Sequence, residues 1–104
     1  MEDPRIVIAF PGQNILILCD INNATSWRVN GSVYILSGLF SGNLAGHNVS
    51  GRNILVEDIM INDARNSSMY ICVLPQIPPK PDIKSHPTIL YVAGECNDFG
   101  TYYL

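Results

Sequence analysis

The sequence predicts an all-β sandwich or barrel. Apolar residues come in short runs, turn residues separate the runs, and no useful length of chain keeps a helical period. At 104 residues the chain suits one domain with one small core, for which a covalent cross-link would matter. The domain is expected over residues 1–93, with 94–104 a tail or linker.

Ile6-Val7-Ile8-Ala9 is a β-rich run stopped by Pro11-Gly12. Asn14 to Cys19 follows, and a period of two puts Ile15, Ile17 and Cys19 on one face and Leu16 and Leu18 on the other. Ser26-Trp27-Arg28-Val29 turns at Asn30-Gly31, a dipeptide that tolerates positive φ, and returns as Ser32 to Leu36. Residues 37–52 are rich in Gly, Ser and Asn and read as turns with at most one short edge strand. Ile54 to Ile61 is an apolar run broken by Glu57-Asp58. A polar turn then leads into Met69 to Leu74. Pro75, Pro78, Pro79, Pro81 and Pro87 make residues 75–87 a loop, because proline cannot donate to a ladder. Thr88 to Val92 is the last strand.

Charged residues make up only 14% of the chain, low for a soluble domain. Four Asn-X-Ser/Thr sequons, at Asn23, Asn30, Asn48 and Asn66, account for this if glycans solubilise the surface. They point to the secretory pathway. The net charge is −3 and the six basic residues are scattered, so no nucleic-acid footprint is visible. No stretch is apolar and long enough to span a bilayer, and Met1-Glu2-Asp3-Pro4 does not resemble a signal peptide. The expectation is an ectodomain whose signal and any membrane anchor lie outside this stretch.

Cys19 in the second run, Trp27 in the third, and Tyr70-Ile71-Cys72 in the sixth form a pattern by which the sequence resembles the immunoglobulin superfamily. The resemblance covers roughly residues 4–93. It implies an immunoglobulin-like β-sandwich of two antiparallel sheets with Greek-key connections. It also implies a Cys19–Cys72 bond between the sheets, Trp27 packed on it, and Tyr70 as the corner tyrosine with its hydroxyl on nearby backbone. Trp27-Arg28-Val29-Asn30-Gly31 is similar to a turn of the constant-2 and intermediate sets; a variable-like set stays open. Asn66 stands where the family carries Asp, which weakens the expectation of a buried Arg–Asp pair. Beside the resemblance, both cysteines fall on the inward phase of apolar runs, which favours a structural bridge over a redox or metal role. Cys96 is the odd cysteine. It pairs beyond this stretch, pairs with a second chain, or stays free.

No catalytic constellation can be named. His47 and His86 lie apart without a nucleophile motif, and adjacent Glu57 and Asp58 would face opposite ways in a strand. Ligand spacing for a metal and a phosphate-binding glycine loop are both missing, so no enzyme, metal or cofactor is expected. Taken together, the resemblance and the sequons imply an extracellular protein-recognition module of a cell-surface receptor or adhesion glycoprotein, such as one used in immune recognition. The partner is expected to be a protein ligand or counter-receptor, including a homophilic one. If Tyr70, Cys72 and Leu74 point inward, Ile71 and Val73 point out beside Arg28 and Tyr34. That patch and the stiff Ile77-Pro78-Pro79-Lys80 stretch are the expected binding surface. A secreted or viral glycoprotein that captures a host protein, and a spacer domain with no partner of its own, are the competing readings.

Overall fold

The computed structural model describes residues 4–35 and 46–94 of the chain. In chain order the strands are β1 (Arg5–Ala9), β2 (Ile15–Ile17), β3 (Ser26–Val29), β4 (Ser32–Ile35), β5 (His47–Ser50), β6 (Asn53–Val56), β7 (Ser68–Leu74), β8 (Ile83–Lys84) and β9 (Thr88–Val92). One sheet has the order β1-β9-β7-β3-β4, with β8 also paired to β7; the other has the order β2-β6-β5. Cys19, just beyond β2, is bonded to Cys72 of β7, with Cα atoms 5.8 Å apart. The domain is therefore an all-β sandwich whose two sheets are bridged by a disulfide, consistent with a generic immunoglobulin-like architecture.

The expectation of two antiparallel sheets needs correction. The three-stranded sheet is antiparallel, but β1 runs parallel to β9, which makes the larger sheet mixed. The cause lies at Pro11-Gly12. There the chain leaves one sheet for the other, with Gly12 at φ 91, so β1 does not form a hairpin with β2 and lies along the last strand instead.

Strand alternation builds the core. Ala9, Ile17, Cys19, Trp27, Val29, Ile54, Val56, Tyr70, Cys72, Leu90 and Val92 form one buried cluster between the sheets, while Leu16 and Leu18 point out and are exposed. Trp27 stands opposite Cys72 in the β3–β7 register, and its indole N–H donates to the Arg52 carbonyl at 2.9 Å, so the buried ring leaves no polar atom unpaired. Asn30 and Gly31 both take positive φ, as a two-residue hairpin between twisted strands requires.

Two elements differ from their sequence reading. The apolar run from Ile54 stops extending at Val56 because Asp58 adopts φ 53, outside the β region. Residues 75–87 are not wholly loop: Ile83–Lys84 pairs antiparallel with Val73 and Leu74. Ser85 then takes over the same edge of β7, donating its N–H to the Cys72 carbonyl at 2.9 Å and accepting the Cys72 N–H on its hydroxyl at 3.0 Å. Below it β9 resumes the ladder along Ser68 to Tyr70. Residues 36–45 lie outside the described residues, and so does the expected 94–104 tail from residue 95 on, Cys96 included.

The bridge closes a loop of 53 residues. Chain entropy assigns such a bridge about 4 kcal/mol, a large share of what a domain of this size has. Replacing both cysteines by alanine should lower unfolding free energy by about 2–4 kcal/mol in urea titrations, with the native far-UV spectrum kept at low denaturant.

Candidate recognition surface

Polar groups that could be mistaken for a reactive site turn out to be structural. Asp63 and Arg65, in the turn between β6 and β7, form a bidentate pair, Nε to Oδ1 at 2.8 Å and Nη2 to Oδ2 at 2.7 Å. Arg65 Nη1 also donates to the carbonyls of Gly46 (2.6 Å) and Glu57 (2.7 Å), and Nη2 to that of Asp58 (3.1 Å). All five guanidinium donors are thus used. Asp63 accepts further from the N–H groups of Met60 and Arg65 at 2.9 Å each. Gly46 permits this because a Cβ there would collide with the guanidinium, and its φ of 75 suits glycine. The resulting Arg–Asp pair is two residues apart in sequence. Asn66, at the place the resemblance reserves for Asp, instead accepts the Val92 N–H on its side-chain oxygen at 2.8 Å.

Tyr70 is fully buried. Its hydroxyl meets Nε2 of His47, on the opposite sheet, at 2.6 Å with ring centroids 5.6 Å apart. The resemblance led to a backbone partner; the hydroxyl pairs with this imidazole. Burial pushes the phenol up to about 12. A tyrosine–histidine contact can move protons in an open cleft, but here the phenol is sealed from solvent. Glu57 accepts from the Asn48 amide at 2.8 Å and makes no carboxylate pair with Asp58. Among the described residues no group of three or more potential metal ligands occurs.

The outer face of the larger sheet is apolar. In register, Arg28 opposes Ile71, Met69 opposes Ile89, and β1 adds Ile6 beside Ile89 and Ile8 beside Tyr91. Ile6, Ile8 and Met69 are exposed, and Arg28, Ile71, Ile89 and Tyr91 are partly so. The sequence reading found Arg28 and Ile71 but missed Ile6, Ile8, Met69, Ile89 and Tyr91, because which strands adjoin β7 is a long-range fact. Val73 does not belong to the surface: it is 1% exposed, closed in by Ser26 on β3 and Lys84 on β8. Alternation gives a side chain's direction, not what flanks it. Tyr34 lies on the same sheet as Arg28, as expected. It pairs with Trp27, while Arg28 pairs with Val33; the Tyr34 side chain itself lies outside the described part.

The proline loop rises from this sheet on an anchor. Asp82 accepts from Arg28 Nη2 and from the Gln76 N–H, both at 3.2 Å, and Lys80 N–H closes the tip on the Ile77 carbonyl at 3.1 Å. Pro78, Pro79 and Lys80 are exposed, and Ile77 is 85% exposed. All four sequon asparagines are exposed. The attachment nitrogen of Asn30 donates to Ser68 Oγ at 3.2 Å and that of Asn48 to Glu57; those of Asn23 and Asn66 make no hydrogen bond to protein among the described residues.

Two predictions follow from the buried polar groups. The bonds from Arg65 hold the Asp63 carboxyl far below its ordinary value, so its stabilisation is whole above about pH 4 and is lost as pH falls toward the folded value. Asp63→Asn should cost about 3 kcal/mol at pH 7 and give a flatter acid limb in unfolding free energy against pH. Tyr70 works in the opposite direction: its raised value keeps stability whole below about pH 10, losing it as pH rises toward about 12. Tyr70→Phe should cost about 1 kcal/mol at neutral pH and flatten that alkaline limb.

Comparison with protein-family models and with curated proteins finds no match. On its own geometry the chain is a disulfide-bridged, two-sheet β-sandwich, a fold type compatible with protein-interaction modules.

Proposed function

We propose that this domain is an extracellular protein-recognition module of immunoglobulin type, from a cell-surface receptor or adhesion glycoprotein, and that it works by binding rather than by chemistry. The observation that carries this reading is Ile77, 85% exposed at the tip of a loop that Asp82 ties to Arg28 and to the Gln76 backbone. A large apolar side chain held out on a fixed loop serves no folding purpose, and holding it there lowers the entropy cost of docking. The partly exposed Ile71 and the Arg28 stem continue the apolar surface below the loop. The sequons and the disulfide support a secretory origin.

The test is a panel of cell-surface and secreted proteins probed with the glycosylated domain in multivalent form, read by surface plasmon resonance on each hit. Ile77→Asp should weaken a true partner at least about tenfold, or 1.4 kcal/mol, without changing the melting temperature. Arg28→Ala should weaken it through a slower on-rate and a looser loop. A partner indifferent to Ile77→Asp, Arg28→Ala and Ile71→Asp would rule this surface out.

A further inference from the structure

The free edge of β1 is an unfilled strand position. Arg5 N–H donates to the Pro87 carbonyl, and the Ala9 carbonyl accepts from Ala93 N–H. In a parallel ladder this phase turns both backbone groups of Arg5, Val7 and Ala9 toward β9. Those of Ile6 and Ile8 therefore point away, and among the described residues no protein group meets them, because β1 ends the sheet of described strands. Natural edges are usually guarded by lysine, proline or a bulge. Between Arg5 and Ala9 this edge has none of these; Pro4 and Pro11 merely bracket it. No sequon lies on β1 or on the adjacent β2.

We propose that this edge pairs with β1 of a second copy of the chain, antiparallel about a two-fold axis through Val7. That register is self-complementary. Ile6 meets Ile8 of the other copy in a hydrogen-bonded pair, and Ile8 meets its Ile6, so all four outward N–H and C=O groups of each edge find partners. Val7 faces its own counterpart as the non-hydrogen-bonded pair, which agrees with its backbone groups pointing to β9. Arg5 falls opposite Ala9, so no like charges meet. On the outer face the isoleucines, 51% and 47% exposed, stack as cross-strand pairs.

Apolar surface adds to the backbone pairing. A groove of about 380 Å³ between β1 and β2 is lined by Val7, Leu16, Ile17 and Leu18 among others. With Leu16 44% and Leu18 56% exposed, the two leucines and two isoleucines leave on the order of 400 Å² of apolar surface open, about half of what each partner in a standard interface buries. The pairing is accordingly a reversible, concentration-dependent dimer, and it joins the two larger sheets into one continuous sheet. It uses neither the proline loop nor Arg28 and shares only Ile6 and Ile8 with the outer face described above.

The test uses the full chain with Cys96→Ser, which removes a covalent route to dimers. Sedimentation velocity over a concentration series should show a monomer–dimer equilibrium. Ile8→Pro deletes one edge N–H without touching a β9 bond, and should weaken the dimer at least tenfold. Amide exchange on the unsubstituted edge supplies the second reading. Ile6 and Ile8 amides should gain protection as concentration rises, while those of Arg5 and Val7 stay constant. A monomer at every concentration would overturn the proposal. So would a dimer in which Ile6 and Ile8 exchange independently of concentration, whatever the fate of the proline variant.

Discussion

The link between Cys19 and Cys72 is the constraint on which the other contacts depend. It joins the short β2 to the centre of the larger sheet and sits on the rung of Trp27, so the largest buried side chain is positioned by the same two atoms that hold the sheets together. The three-residue β2 and the four-residue β5 and β6 of the smaller sheet could not fix the spacing between the sheets by hydrogen bonding alone. With the gap set, Ile17, Ile54, Val56 and Leu90 fill it from both faces.

Around that pin, turn side chains do work that longer strands would do with backbone. Asn53 accepts the Cys19 N–H at 2.9 Å and extends the β2–β6 ladder by one step. Asn30 accepts the Met69 N–H at 2.9 Å and does the same for β3 and β7. Asn66 receives Val92, and Arg65 gathers three carbonyls at once. An asparagine-rich composition thus has a second explanation beside glycosylation: short polar side chains finish ladders that the strands leave incomplete.

Local signals carried far in the sequence. The Asn-Gly turn, the apolar alternation of β2 and the Thr88–Val92 run read directly, as did the pair of cysteines once the resemblance was recognised. The rung of Tyr34 also follows from the turn: two residues between Val29 and Ser32 force Trp27 opposite Tyr34. What sequence periodicity could not carry was anything set by distant neighbours. His-Asn-Val-Ser has no apolar alternation to mark β5, so the Tyr70–His47 contact had no signal. The parallel docking of β1 on β9 depends on which sheet the chain enters after Pro11, and Val73 lost its surface to flanking strands. The apolar outer face was half visible for the same reason, since its other half comes from strands far along the chain.

The anchoring of the proline loop has a consequence for how such a domain can change over generations. Asp82, Arg28 and Gln76 hold the base, while Ile77, Pro78 and Pro79 are exposed and stand outside the buried core. The part that maintains shape and the part that meets the outside world are thus different residues. Substitutions at the exposed Ile77 can be sampled almost free of stability cost, so selection can rewrite that position while the scaffold beneath it stays as it is.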